Sequence, residues 1–210
     1  LYTGHGEHRI EGIGDKHVPW IHNLRNTDVV AGIDDDACMA LIRLFNEPTG
    51  RAYLAGRGVD PELLDRLDLL GISSIANLLI CVKLARYHEL GDRDVMVTVA
   101  TDSMELYGSR IREERELHGD YTERDAAVHH ERHLLGAASD HVLELSYWDR
   151  KRMHNLKYFT WVEQLGKPVE ELDAQWEDPD YWTSRFRSWT DLDHRIRAFN
   201  ERTGLIANYQ

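Results

Sequence analysis

The residues able to do chemistry fall into a few groups along the chain. Gly71-Ile72-Ser73-Ser74 closes a short apolar run (Leu69-Leu70) and opens a helical repeat at Ile75, Leu78, Leu79, Val82 and Ala85. Ser73 or Ser74 is a natural N-cap, and the first helical turn carries N–H groups with no intrahelical acceptor. The turn therefore offers hydroxyls and N–H groups to a ligand that accepts hydrogen bonds, although capping alone also accounts for the serines. Thr101-Asp102-Ser103 follows the β-branched run 95–100, and ligands of open α/β sheets bind at the carboxyl ends of strands. The Gly- and His-rich stretch 4–15 suits a loop whose backbone approaches something closely. It is not a G-x-G-x-x-G between a strand and a helix, so it gives no Rossmann signature. His129 and His133 stand at i, i+4, a metal-ligand spacing. The glutamate of a zincin is misplaced, no third ligand is evident, and Arg124 and Arg132 oppose a cation. A solvated helix face is the expectation there, with no metal. Cys38 and Cys81 have no local signature of a catalytic thiol.

The elements that must position these groups read as follows. Residues 28–33 suit a short strand, and Asp34-Asp35-Asp36 begins a helix that Pro48 and Gly50 end. Residues 52–58 suit a second strand, and Pro61 opens a short helix. The Ser-bearing helix runs on to Leu90-Gly91. Val95–Ala100 is apolar on both faces, as in a buried parallel strand. Strand, helix, strand, helix, strand implies an α/β layout with a parallel sheet, the loops after 70 and 100 opening on one edge. From about residue 106 helices dominate, near 106–118, 122–135, 147–165 and 180–202. Tyr181, Trp182, Phe186 and Trp189 share a helical face and read as a packing seam.

The 210 residues suit one large domain or a domain with an appendage, and a 42% apolar fraction can fill a core. A net charge of −12 disfavours nucleic acid and anionic membranes as partners. No apolar run approaches the ~20 residues of a membrane span. No signal peptide is evident, and two unpaired cysteines suit reduced thiols in a cytoplasmic protein. The chain opens at Leu1 directly into motif-like sequence, as if other sequence preceded it.

Three segments carry a resemblance: His8-Arg9-Ile10-Glu11-Gly12-Ile13-Gly14 with Val18-Pro19, then Gly71-Ile72-Ser73-Ser74, then Thr101-Asp102-Ser103-Met104-Glu105-Leu106-Tyr107. In this order and spacing they resemble the carboxyl-terminal half of fold-type II pyridoxal-phosphate enzymes, the cysteine synthase and cystathionine β-synthase family, over about residues 5–112. The resemblance implies an α/β fold, part of a parallel-sheet three-layer domain (1–112), followed by a mostly helical C-terminal extension (113–210). It places Ser73 at the pyridine nitrogen of the cofactor, Gly12, Ile13 and Gly14 beside the cofactor and substrate cleft, and Thr101 and Asp102 near the ring's nitrogen edge. A neutral hydroxyl at a helix N-terminus does not stabilise a protonated ring nitrogen, so the implied chemistry is β-elimination or β-replacement on a small amino acid.

The chain departs from the family at Ile75, where the family has glycine, and at Thr101, where it has proline. The family's Schiff-base lysine and phosphate loop precede its H-K-I-Q-G-I-G segment. None of Lys16, Lys83, Lys151, Lys157 or Lys167 matches that lysine, so no catalytic residue is assigned on this chain. The expectation is the back wall of an active site, its pyridoxal 5'-phosphate shared with a companion polypeptide or a missing N-terminal half, in a homo- or hetero-oligomer. A non-catalytic regulatory or scaffolding relative is the alternative. A metal-dependent hydrolase built on His129 and His133 is a third reading.

Overall fold

A computed structural model of the chain describes residues 6–10, 13, 16–204 and 206. The chain packs as two compact units, one of residues 5–16 and 29–145, the other including 17–28 and 146–210.

The larger unit contains β1 (Val29–Ala31), α1 (Asp35–Asn46), α2 (Pro48–Gly56), α3 (Pro61–Asp65), α4 (Ile72–Tyr87), α5 (Gly108–His118), α6 (Glu123–His130) and β2 (Val142–Glu144). Helix α1 is its centre. The Asp34 side chain caps it by accepting from the Asp36 N–H at 2.9 Å, and Asp35 and Asp36 meet the positive end of its dipole. Cys38, Leu41, Ile42 and Leu44 are fully buried, and α4 packs against this face through Ile72, Ile75 and Leu79. Pro48 ends α1 and occupies the first position of α2, where its missing N–H costs nothing.

Charge is buried with this core. Arg43 and Glu47 are 4% and 3% exposed. The Arg43 guanidinium lies 4.8 Å over the Tyr121 ring and donates to the Glu114 and Gly119 carbonyls at 3.4 and 2.7 Å. Glu47 lies 3.5 Å from Arg43 Nε and accepts from Arg115 Nε at 3.0 and 3.1 Å, with a further bond from Nη2. These contacts tie α1 to α5.

Among the described residues the sheet has two strands, antiparallel, with Val30 opposite Leu143. Helices carry most of the chain. This corrects the expected α/β fold: the larger unit is not part of a parallel-sheet three-layer domain, whereas the helical character expected beyond residue 113 agrees with the structure. The reasons are local. A strand needs a neighbour to complete its backbone hydrogen bonds. Residues 95–100 have none among the described residues and lie without regular structure, with Val95, Val97 and Val99 85%, 91% and 67% exposed. Residues 52–56 belong to α2, where Ala52, Leu54 and Ala55 are good helix formers. Leu67–Leu69 is a single helical turn.

The smaller unit contains α7 (Tyr147–Asn155), α8 (Val169–Glu177), α9 (Tyr181–Arg187) and α10 (Trp189–Thr203), with a wide helical turn over Tyr158–Gln164. Helix α8 was not anticipated from the sequence. All six tryptophans fall in this unit. The segment 18–28 is fastened to the helices by its carbonyls: Val18 accepts from Trp161 Nε1 at 2.8 Å and Thr27 from Arg150 Nε at 2.7 Å. Lys157 is fully buried, and its ammonium donates to the Trp20 and His22 carbonyls and to Gln175 Oε1 at 2.9, 2.6 and 2.8 Å. Burial pushes its pKa down to about 7. Three acceptors matched to the three N–H groups of an ammonium oppose that push.

Two outcomes follow from these buried charges. Replacing Glu47 by Ala leaves Arg43 buried without its carboxylate and is expected to destabilise the larger unit by about 3–5 kcal/mol in urea unfolding followed by circular dichroism. His154 is buried, its Nε2–H donating to the Leu172 carbonyl at 2.9 Å. Burial first, against the Leu172 bond and with Lys157 and Lys151 adding to it, lowers its pKa from 6.5 to about 4. Between those values the unfolded chain binds more protons than the folded one, so stability is lost as pH falls from about 6.5 to 4. The loss is expected on the order of 1–3 kcal/mol in tryptophan-detected urea unfolding, with a shallower slope in His154→Gln.

Candidate functional site

Helix α4 starts at Gly71, whose φ of −68° is ordinary and which has no side chain to cap the helix. Ser73 and Ser74 are therefore the second and third helical residues rather than N-caps, and both are buried. Their neighbour is the segment that follows residue 100. The Gly71 N–H donates to the Asp102 carbonyl at 2.8 Å. The Thr101 N–H donates to Ser74 Oγ at 3.0 Å, and Ser74 Oγ donates to the Asp102 carbonyl at 3.5 Å. Thr101 Oγ1 donates to Asp102 Oδ1 at 3.1 Å, and the Tyr107 hydroxyl donates to Asp102 Oδ2. One turn farther along the same helix, the Asn77 amide donates to the Val99 carbonyl at 2.9 Å.

The two segments thus form a clasp at the mouth of α4. Glycine at 71 is required by proximity: a Cβ there would lie 2.2 Å from Asp102 Oδ1 and 2.8 Å from its carbonyl oxygen. The structure joins Thr101 and Asp102 to Gly71 and Ser74 through these bonds, none of which involves Ser73, buried one residue earlier on the helix. Ile13 is 43% exposed, and Gly12 and Gly14 lie outside the described residues. Tyr107, the partner of the Asp102 carboxylate, was part of the third motif but was not singled out. Only the folded turn at 104–107 shows why a phenol stands there.

The donor set can be compared with the needs of a pyridoxal ring. A neutral hydroxyl in the first turn of a helix, beside N–H groups that have no intrahelical acceptor, suits the lone pair of an unprotonated ring nitrogen. The hydroxyl of Ser73 has the chemistry that this edge of a ring needs, and Ser73 is buried in the structure, 1% exposed. The lysine on the same helix, Lys83, lies about 15 Å along the axis from Ser73 and is held by the Gly32 carbonyl at 2.7 Å and Asp140 at 3.0 and 3.2 Å. Lys157 is in the other unit. No lysine is assigned to the cofactor's aldehyde.

His129 and His133, expected on a solvated helix face, are half-buried. His129 and His133 have ring centroids 6.0 Å apart, and His129 Nδ1 pairs with the Tyr121 hydroxyl at 3.0 Å. Burial lowers both histidine pKa values. Among the described residues no group of three or more His, Cys, Asp or Glu is arranged to hold a metal. Burial, with Asp35 and Asp34 adding to it, pushes the Cys38 thiol up to about 12, so it is inert. Among the described residues no helix is long and apolar enough to cross a membrane.

Comparison of the chain with protein-family models, curated proteins and solved structures found no match.

The clasp makes a direct prediction. Gly71→Ala forces Asp102 aside and is expected to cost about 1–3 kcal/mol by thermal unfolding. Gly56→Ala, whose Cβ meets nothing within 4 Å, is the control and is expected to leave stability unchanged or slightly raised.

Proposed function

We propose that the chain supplies the nitrogen-edge wall of a pyridoxal-phosphate site in an enzyme of β-elimination or β-replacement on a small amino acid, the Schiff-base lysine and phosphate loop being carried by other polypeptide sequence. The observation that supports this reading is the clasp. Segments 27 or more residues apart in sequence, which the resemblance makes neighbours at a cofactor, are joined by hydrogen bonds at the start of α4. When bound, the cofactor supplies an electron sink for bonds at the α- and β-carbons of the amino acid.

The part played by this chain's own residues is limited and specific. Ser73 donates a neutral hydrogen bond toward the ring nitrogen, which leaves that nitrogen unprotonated and the sink mild. Asp102 serves as a brace, because its carbonyl receives Gly71 and its carboxylate receives Tyr107. Because Ser73 is buried, a ring reaching it must displace what covers the serine. The exposed valines 95, 97 and 99 are apolar surface that a companion would cover. A cytoplasmic setting suits this chemistry and the two thiols, Cys38 and Cys81, which are free in the structure.

The test is a borohydride trap with pyridoxal phosphate, applied to the chain alone and together with the polypeptide encoded immediately upstream of it. The expected result is a single pyridoxyl-lysine adduct on the companion, formed in full only in the pair. In that pair Ser73→Ala is expected to lower turnover at least about tenfold, one lost hydrogen bond, with little change in unfolding. Ser73→Asp should move side products toward transamination. A specific stoichiometric adduct on a lysine of this chain would overturn the assignment. No adduct in either condition would leave the non-catalytic partner as the better reading.

A further inference from the structure

Helix α10, fifteen residues long, is the longest of the smaller unit, and none of its residues is buried. A helix of this length is marginal in water by itself and is ordinarily held by the packing of an apolar face. Helix α10 has such a face and leaves it open. Trp189, Leu192, Ile196 and Phe199 recur at intervals of three, four and three residues and are 74%, 56%, 49% and 48% exposed.

The width of this stripe states what covers it. A helix that packs into a globular core carries a third apolar position in each heptad, whereas two per heptad form the narrow seam of a helix pair. Trp189 and Ile196 hold the a positions and Leu192 and Phe199 the d positions, while the flanking e and g positions are polar: Asp193, Asn200, Arg195 and Arg202. A β-branched residue at a with leucine at d selects two strands. A lipid surface is a poor match. Helices that lie on membranes carry an excess of basic residues, and α10 balances three acids against three arginines. The charges beside the seam are met within the helix, Asp191 by Arg195 at 2.8 Å and Asp193 by Arg197 at 2.7 Å.

The flanks also set the direction. In an antiparallel pair of identical helices each flank meets itself, so Arg195 would face the partner's Arg195 and Asp193 the partner's Asp193, juxtapositions of like charge that are costly. In a parallel pair a g residue faces the e residue of the next heptad, which puts Arg195 beside the partner's Asn200, an uncharged acceptor. We infer that α10 pairs with α10 of a second copy of this chain as a short parallel two-stranded coiled coil, Leu192 and Ile196 meeting their counterparts at its centre. The pairing stands apart from the α4 clasp and does not depend on pyridoxal phosphate.

Sedimentation equilibrium of the full chain tests it. A monomer–dimer equilibrium is expected, its dimer fraction rising with concentration, and weak because the interface is only two heptads long. Leu192→Glu and Ile196→Glu each put an unpaired charge into the seam from a position exposed in the single chain. Each is expected to weaken the dimer at least about tenfold while leaving thermal unfolding of the dilute protein unchanged. Ala198→Glu, on the opposite face of the helix, is expected to change neither. Thr203→Cys, at the next a position, reads the direction in a Cys81→Ser background. Mild oxidation is expected to give a disulfide-linked dimer, since the two thiols meet in a parallel pair. In the antiparallel register that sets Leu192 against Ile196 they would lie roughly 27 Å apart along the axis. A chain still monomeric at about 1 mM, a dimer indifferent to Leu192→Glu and Ile196→Glu, or a dimer that Thr203→Cys does not cross-link would each overturn the inference.

Discussion

A buried guanidinium is the constraint around which the larger unit is built. Arg43 lies on a helix whose other inward residues are apolar, and a charge removed from water must be met by a counter-charge and hydrogen-bond acceptors. Glu47 is one turn farther on, the Tyr121 ring lies beneath, and the carbonyls of Glu114 and Gly119 come from the end of α5. Glu47 in turn receives Arg115. Satisfying one charge therefore sets where α5 runs. With α1 held in place, its apolar face receives α4, and the position of α4 sets the position of Gly71 and the two serines.

The clasp at the start of α4 has a different basis. It is made of backbone and short side chains and tolerates little change, since the space that a Gly71 side chain would need is occupied by Asp102. The smaller unit follows the same logic as Arg43 with opposite means. Lys157 is satisfied by neutral oxygens, two from the segment 20–22 and one from Gln175. That choice turns the Gln175 amide so that its oxygen meets the ammonium.

Much of the helical content could be read from residue order. The Asp34 cap, the apolar repeat of α1, the break at Pro48 and the capping acids are local effects that operate within a few residues, and the structure keeps them. Helix α4 was anticipated too, but its cap was not, because a glycine can start a helix when an acceptor from elsewhere meets its N–H. The aromatic seam at 181–189 was seen as a stripe. That Tyr181, Trp182 and Phe186 enclose a cavity while Trp189 stays 74% exposed depends on where the segment 20–26 lies.

The parallel sheet is where pattern and outcome parted. Val95–Ala100 has every intrinsic mark of a strand, yet β-structure is a relation between segments, and among the described residues no segment pairs with this one. The short β1–β2 pair arose instead across more than a hundred residues. Residue types and spacing set which stretches are helical and which side chains are capable of chemistry, because those properties are local. That both serines are buried, which carbonyls hold Lys157, and that Asp102 meets Gly71 were settled by packing, because each brings together atoms that the chain places far apart.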